Sequence, residues 1–352
     1  MSESDRALLE QTVTAVLADA CPEAVVRAAE RGDWPARAWE LLATSGLTLV
    51  GIPEAAGGSG GSVHDLGVVL RAVGRAAAPV PVAENWLACW LRAAVALPSP
   101  EGPSTIGWGH GVPANGGIHL VGMARAVPWL LEAEEVVVLA ASEAGTHHVV
   151  TGTVADDAVT RTLNLAGEPR DSLDLSAVAA ARVVAAPPAV DLAGLRLLGA
   201  FTRAVLTVGA LDRALELTLR YSAERSQFGR PLARFQAVAQ MTAVLVCEVE
   251  AAAAAVAVAT DALDPLADVH AAAAEIGVAK VRTARAARAA TAIAHQVHGA
   301  IGWTEEYPLQ LVTRRALAWR DEFGSERDWA LALGAQFATI PEGSLWDGVV
   351  PT

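Results

Sequence analysis

The sequence predicts an α+β fold that is mostly α-helical, with an N-terminal helical domain, a small middle β domain and a C-terminal four-helix bundle. Three observations predict it. Apolar residues recur at helical spacing near the N-terminus, short β-like runs follow, and long Ala-, Leu- and Val-rich helical segments fill the rest. We therefore expect the domains to comprise residues 1–97, 98–190 and 191–352.

The N-terminal part has the apolar periodicity of helices, which we predict at residues 4–30, 35–45, 62–75 and 84–94. A glycine-rich run, residues 57–61, lacks the spacing of the glycine motifs that bind nucleotides. We predict a flexible loop there, and a part in lining a ligand stays open.

The middle of the chain loses the helical period between Pro98 and Pro113. Short β-like runs at residues 117–121, 135–139 and 147–151 are separated by turn residues, which predicts a small antiparallel sheet domain. The last run begins with two histidines, but no third ligand stands at a suitable spacing, so we predict no metal site.

Four helical segments follow, at residues 192–223, 234–263, 265–298 and 309–321. Three of them exceed the usual length of a globular helix. Helices of this length, packed side by side, are typical of a four-helix bundle.

Composition excludes several functional classes. The 352 residues carry a net charge of −13, which argues against nucleic acid as the main partner. Three scattered cysteines predict a reducing compartment without disulfides. The N-terminus lacks a signal pattern, and the apolar run Val244–Thr260 carries Glu248 and Glu250, so we expect no membrane span and a cytoplasmic protein.

One stretch, Tyr221 to Gln236, concentrates guanidinium, amide, aromatic and glycine groups between two apolar helices. A break of this kind can present backbone and arginine to a phosphate-bearing ligand. Taken alone, the stretch is more typical of an ordinary helix connection with a solvated arginine.

Three stretches, in order, resemble the acyl-CoA dehydrogenase family of flavoproteins. The first is Tyr221 to Gln236, in the family pattern Y-x-x-x-R-x-Q-F-G-x-P-x-x-x-F-Q. The second is His295 to Thr304, similar to Q-x-x-G-G-x-G-Y. The third comprises Glu306-Tyr307-Pro308, Arg314 and Phe323-Gly324-Ser325, where the family usually has E-Y-P, R-D and E-G-T.

The resemblance implies two helical domains around a β domain, assembled as a tetramer with FAD at a subunit interface. An arginine fork suits the FAD pyrophosphate better than a lysine would, and glycines allow close backbone approach. In the family these contacts reach the flavin held by the neighbouring subunit. The residues implied to bind the cofactor are Arg225, Gln227, Phe228, Gln296, Gly299 and Gly302.

The resemblance does not supply a catalytic residue. The family's base is a carboxylate, usually the Glu of E-G-T, and this chain has Phe323 there. Glu322 is offset by one residue, so it would need a local shift to act as the base. A second family location, on the helix before the Arg225 stretch, falls near Gly199.

The middle domain also departs from the family pattern. The T-E-x-x-x-G-S-D segment is replaced by Gly107-Trp108-Gly109-His110-Gly111. Trp129 stands near the place of a flavin-facing residue, although a buried aromatic is the more ordinary interpretation. The chain's own flavin and substrate pocket is therefore not predicted to be complete.

We expect a subunit of an FAD-dependent acyl-CoA dehydrogenase that forms an α,β-double bond in an acyl-CoA of a fatty acid or a steroid side chain. The missing base favours an α2β2 heterotetramer with a sister subunit over a homotetramer, and electrons would pass to a separate acceptor. Alternatives are a non-catalytic partner that contributes FAD contacts, a scaffold without flavin, and thioester chemistry without redox.

Overall fold

The computed structural model describes residues 3–114 and 117–339. Its N-terminal block is helical. The helices there are α1 Glu3–Ala20, α2 Glu23–Ala29, α3 Ala36–Thr44, α4 Val63–Arg75 and α5 Val82–Ala94. The single helix predicted over residues 4–30 is wrong: it is two helices, because Pro22 has no N–H to continue the first one.

Helix α4 begins where the sequence indicates. Ser62 and Asp65 form a capping box, in which each side chain accepts a hydrogen bond from the other residue's backbone N–H. Arg6 Nε also donates to Asp65 at 3.1 Å, which ties α1 to α4.

The glycine-rich run at residues 57–61 is anchored. Ser59 N–H donates to Leu49 O at 3.1 Å, and Gly60 O accepts from Gly51 N–H at 2.7 Å. A Cβ at Gly58 would lie 2.1 Å from Ile52 O. The loop predicted to be flexible is therefore folded back and hydrogen-bonded to its own chain.

The described residues of the middle block form eight strands in two sheets. They are β1 Ser104–Ala114, β2 Gly117–Val121, β3 Met123–Pro128, β4 Glu135–Ser142, β5 His147–Thr153, β6 Val159–Thr160, β7 Arg170–Asp174 and β8 Ala179–Ala185. The first sheet has the order β2-β1-β4-β5-β8 and the second β3-β7-β6. The antiparallel prediction fails at one pair: β4 runs parallel to β1, because the chain passes through β2 and the second sheet before it returns.

Strand β4 is buried on both faces. Val137 and Leu139 pack into the helical core, whereas Val136 and Val138 pack into a smaller core between the sheets. The alternation follows the two-residue period of a strand. The sheet is therefore fixed to the helices and cannot shift in register by one residue without exposing one of these sets.

The C-terminal block is helical and confirms the predicted architecture. Its helices are α6 Leu192–Glu224, α7 Gln236–Leu263, α8 Ala273–His298, α9 Leu309–Trp319 and α10 Glu326–Phe337. Helix α6 lies at the centre and contacts α4, α7, α8 and α9. The predicted domain boundaries fall in the connections on either side of the strands, and the division into three domains stays a prediction.

Two helices among the described residues, α6 and α7, are long and apolar enough to cross a membrane by length and composition. The most apolar window of α6 is 83% buried, as in a core helix, and that of α7 is 22% buried. Helix α7 therefore keeps an apolar face that is exposed in the single chain.

Candidate functional site

The Arg225 stretch forms a small hairpin at the end of α6. Arg225 is the C-cap, and its N–H donates to Tyr221 O at 2.9 Å. Strand β9, Ser226–Gln227, then pairs with β10, Arg230–Pro231. The two residues between them, Phe228 and Gly229, have φ of 51° and 78°, as a type I′ turn requires.

This turn holds Phe228 outward. Its side chain is 93% exposed, although its backbone occupies the left-handed region that a bulky residue rarely adopts. Arg225 and Gln227 are exposed as well, and neither side chain makes a hydrogen bond or ion pair within residues 3–114 and 117–339. The hairpin therefore presents a guanidinium and an amide without partners in the described part of the chain, and an aromatic ring whose one ring contact there is edge-on with Phe235, at a centroid distance of 6.3 Å.

The second predicted segment begins in the last turn of α8. Gln296 is exposed, and its side chain has no hydrogen-bond partner in the described part of the chain. Gly299 caps the helix with φ of 63° and has open space where a Cβ would stand. Both residues fit a role in contacting a ligand from outside the chain.

Gly302 has a different environment. It is buried, and a Cβ there would lie 2.9 Å from His298 Cβ and 3.3 Å from His295 Nδ1. Its lack of a side chain serves the packing of these two histidines, which the sequence interpretation missed. Their spacing of three residues, which places both on one helix face, was the available signal.

An aromatic stack joins the two segments. The rings of Tyr221 and His298 are stacked, with centroids 4.5 Å apart, and Tyr307 packs on both at 5.7 and 4.8 Å. Tyr307 Oη donates to Leu217 O at 3.2 Å. Because Tyr221 lies one turn before Arg225, and His298 lies beside Gly299, the stack brings the hairpin and the end of α8 together.

Both histidines are buried, and burial lowers the pKa of each ring. Each is therefore neutral at pH 7. His298 Nδ1 is hydrogen-bonded to Ala294 O at 2.7 Å, which makes this nitrogen the protonated one. His295 Nε2 lies 3.0 Å from Thr313 Oγ1, and its ring stacks on Trp303, which is 73% exposed.

The position of the family's base is occupied by Phe323, whose φ is 56°. Its ring lies directly against Gly199, the second candidate position for a base: a Cβ there would come within 2.2 Å of the ring. Trp108 covers the same ring at a centroid distance of 5.7 Å. An aromatic contact therefore occupies both positions that the resemblance assigns to a base.

A cavity of about 460 Å³ adjoins this contact. Aliphatic and aromatic side chains line most of it, with one guanidinium. Its lining residues are Trp108, Leu192, Leu195, Arg196, Phe323 and Gly324. It contains no acid or imidazole that could remove a proton.

Glu322 points into a buried ion-pair network instead. Its carboxylate accepts from Arg170 Nε at 2.8 Å, Arg203 Nε at 2.6 Å and Asn164 Nδ2 at 3.1 Å. Burial alone would raise the pKa of Glu322, but the two guanidinium groups outweigh it and lower the pKa to about 2. A general base needs the opposite shift and a free lone pair, so the geometry argues against Glu322 as the base.

The network extends across all three blocks. Arg203 on α6 also donates to Glu84 on α5 at 2.5 Å, and Arg170 on β7 to Glu168 at 3.1 Å. Arg315 on α9 approaches Glu168 at 3.4 Å. The network continues to Glu30, the residue that follows α2, which accepts from Arg315 at 2.9 Å and from Arg314. Its four carboxylates and four guanidinium groups balance in charge, although the Nε atoms of Arg314 and Arg315 have no hydrogen-bond partner among the described residues.

Within the described residues, no group of three or more His, Cys, Asp or Glu side chains could hold a metal ion. His147 and His148 lie in β5 without such neighbours. Trp129 is buried, with its ring 6.0 Å from that of Trp34.

The residues present fit FAD as a ligand. The hairpin supplies an unpaired guanidinium for a pyrophosphate, and the end of α8 supplies an unpaired amide and open backbone. None of these groups faces the cavity beside Phe323, since that cavity is lined by other residues. The groups expected to bind the cofactor therefore lie apart from the cavity beside Phe323.

Two family models match the chain. "Acyl-CoA dehydrogenase, N-terminal domain" covers residues 3–95, and "Acyl-CoA dehydrogenase, C-terminal domain" covers residues 197–326. Among curated relatives, acyl-CoA dehydrogenase IpdE2 of Mycolicibacterium smegmatis is 30% identical over 96% of this chain and 99% of its own length.

Solved structures show the same fold. The ChsE4-ChsE5 complex from Mycobacterium tuberculosis matches with a TM-score of 0.86 and 22% identity, covering 97% of this chain and 99% of the matched one. A variant of the Tcur3481-Tcur3483 steroid ACAD matches with a TM-score of 0.84 and 24% identity, covering 95% and 98%. The sequence motifs, the fold and the near-full-length relative agree: this chain belongs to the acyl-CoA dehydrogenase family of oxidoreductases.

Proposed function

We propose that this chain is the base-deficient, FAD-contributing subunit of a heteromeric acyl-CoA dehydrogenase. In this assembly it supplies cofactor contacts to a flavin seated mainly on a sister subunit, whose carboxylate removes the substrate α-proton. The reaction is α,β-dehydrogenation of an acyl-CoA, and a separate electron acceptor reoxidises the cofactor. The assembly is an α2β2 tetramer in the reducing cytoplasm.

The observation that carries this proposal is that no available carboxylate lies at the position of the base among the described residues. Phe323 lies against Gly199, and Glu322 is held by two arginines at a pKa of about 2. Proton removal from a thioester α-carbon needs a positioned base with a pKa near the working pH. The groups around the cavity beside Phe323 supply none.

The partner contact is supported by the exposed face of α7. Small apolar residues recur there at alternating spacings of three and four, the pattern of a helix that packs along another helix. All are exposed in the single chain. They are Val244, Cys247, Ala251, Ala254 and Val258. The occupant we propose is a helix of the sister subunit, because small side chains allow close approach of two helices.

The names of the relatives support a heteromer and a steroid substrate. Two similar solved structures are of two-component assemblies, one of them called a steroid ACAD. A steroid-derived acyl group is therefore the substrate class we propose, ahead of a simple fatty acyl group. The cavity beside Phe323 is not assigned to this substrate, since it lacks catalytic groups.

Within the assembly, each side chain of this subunit has a binding role. Arg225 would hold the pyrophosphate, Gln227 and Gln296 would donate amide hydrogen bonds to the cofactor, and Phe228 would cover an apolar part of the cofactor or partner. The chemistry that a bound flavin would supply is acceptance of a hydride from the substrate β-carbon. Because the chain itself places no base there, binding is its contribution and proton removal is the partner's.

Co-expression tests the proposal. The chain would be purified alone and with a sister subunit of the same family, and each preparation assayed for the visible flavin spectrum and for electron-acceptor reduction with steroid and fatty acyl-CoAs. We expect a yellow, active complex and an inactive isolated chain. Activity of the isolated chain would contradict base deficiency, and a colourless complex would contradict the flavin role.

Arg225→Ala tests the phosphate contact in the complex. A charge-assisted contact of this kind is worth about 1.5–3 kcal/mol, so FAD affinity should fall by roughly 10- to 100-fold. Arg225→Lys keeps the positive charge but loses the planar guanidinium fork. Its FAD affinity should therefore lie between those of the wild type and Arg225→Ala. The matched control is Arg31→Ala, which removes another exposed, unpaired arginine and should leave FAD titration unchanged. Equal FAD content in all variants would reject the contact.

A further inference from the structure

We propose that the stack of Tyr221, His298 and Tyr307 is the positioning element that holds the two cofactor-contacting segments in fixed relation. The inference rests on the proposed FAD role and deepens it. It assigns these three residues to alignment of the Arg225 hairpin and the Gln296 helix end, and not to contact with the reacting atoms.

The first argument is connectivity. Arg225 in the hairpin and Gln296 at the end of α8 lie about 70 residues apart in sequence. The backbone N–H of Arg225 is bonded to Tyr221 O at 2.9 Å, and His298 is the last residue of α8. Movement of either ring therefore moves the backbone of a cofactor segment.

The second argument is geometry. Tyr221 and His298 are stacked at 4.5 Å with an interplanar angle of 22°, a geometry that stabilises a ring pair beyond the burial of its apolar area. Tyr307 closes the third side and is fixed to α6 by its hydrogen bond to Leu217 O. A Cβ at position 302 would lie 2.9 Å from His298 Cβ, so the glycine leaves the room that His298 needs to take its place in the stack.

The third argument is composition. The chain contains two tyrosines, and both lie in this stack. Tyr221 Oη has no hydrogen-bond partner in residues 3–114 and 117–339, so the ring and not the hydroxyl makes the contact within the chain. A phenylalanine at this position should therefore make the same ring contact.

The test compares Tyr221→Leu with Tyr221→Phe. Leucine keeps the helix and most of the apolar volume but removes the planar stack, whereas phenylalanine keeps the stack. Hydrogen exchange of residues 225–230 and 299–304 would be followed by mass spectrometry in the isolated chain. The FAD dissociation constant would be titrated in the complex with the sister subunit.

We expect Tyr221→Leu to accelerate exchange in both segments and to weaken FAD binding about tenfold, the scale of one lost aromatic pair. Tyr221→Phe should match the wild type in both measurements. Trp34→Ala, which breaks an aromatic cluster elsewhere, should lower stability without changing either readout.

Faster exchange in residues 225–230 alone, or in neither segment, would overturn the proposal. So would equal weakening of FAD binding by phenylalanine and leucine, which would make the hydroxyl a direct ligand. Failure of the proposed function can be distinguished from failure of this inference. A wild-type complex that takes up no FAD would reject the proposed function, while the hydrogen-exchange measurement would still show whether the stack holds the two segments together.

Discussion

At the scale of single residues, Phe228 combines a strained backbone with an exposed side chain. Its backbone lies in the left-handed region, the residue is 93% exposed, and its ring contact among the described residues is an edge-on one with Phe235. A strained, exposed aromatic residue contributes little to the stability of the isolated subunit. Its place beside Arg225 and Gln227 therefore argues for binding.

Phe228→Asn should separate stability from binding. Asparagine tolerates the left-handed region, so the free energy of unfolding of the isolated chain should stay the same or rise by up to about 1 kcal/mol. FAD affinity of the complex should fall. The control is Gly229→Ala, which adds strain to the same turn and should destabilise by about 1 kcal/mol. A loss of stability in Phe228→Asn, measured by urea unfolding, would refute the argument.

At the scale of elements, α8 carries a charge that its neighbours only partly satisfy. Lys280 is buried, and its ammonium donates to Trp319 O at 2.8 Å and Arg320 O at 2.9 Å, at the C-terminal end of α9. The carbonyls favour a positive charge there. Burial dominates and lowers the pKa of Lys280 to about 7.

This pKa predicts a pH-dependent stability. Between about pH 7 and the ordinary value of 10.5, the unfolded chain binds a proton that the folded chain has released. The free energy of unfolding should therefore rise with pH in this window, by up to about 1.4 kcal/mol per pH unit. Lys280→Met should remove that slope in urea unfolding at several pH values. An identical slope in the variant would refute the assignment.

At the scale of the whole molecule, the ion-pair network joins the three blocks through Glu322, Arg170 and Arg203. Sequence motifs placed Glu322 next to the base position, and only the tertiary structure reveals that its carboxylate turns the other way. A buried pair is weak evidence for stability, but removal of one partner leaves a buried charge unpaired.

Glu322→Gln should therefore destabilise the chain by about 3 kcal/mol or more at pH 7. The lowered pKa gives the sign of the acid dependence: the Glu322 contribution is complete above about pH 4.5 and is lost as pH falls towards 2. The variant should lack this loss in acid unfolding. Glu143→Gln, at an exposed position, is the control. Unchanged stability of the Glu322 variant would mean that the network does not join the blocks.

Thiol labelling tests the proposed face of α7. Cys247 is exposed, whereas Cys21 and Cys89 are buried, and burial raises their pKa to about 12 and about 11. A thiol reagent should label one cysteine in the isolated chain and none in the complex. Cys247→Ser should abolish the labelling of the isolated chain. Full labelling in the complex would exclude this face from the subunit contact.

The sequence by itself determined the fold class, the order of the helical and β blocks and the break between two long helices at Tyr221 to Gln236. These depend on local properties: apolar periodicity, turn residues and short motifs with fixed spacing. It also predicted that Phe323, and not a carboxylate, stands at the position of the base.

Only the tertiary structure decided the parallel pairing of β1 with β4, the direction of the Glu322 carboxylate, the packing of Phe323 on Gly199, and the stack that joins Tyr221 to His298. Each of these depends on residues far apart in sequence that meet in the fold. Local pattern carries no information about such contacts, because the free energy that selects them arises from burial and charge pairing between separate elements.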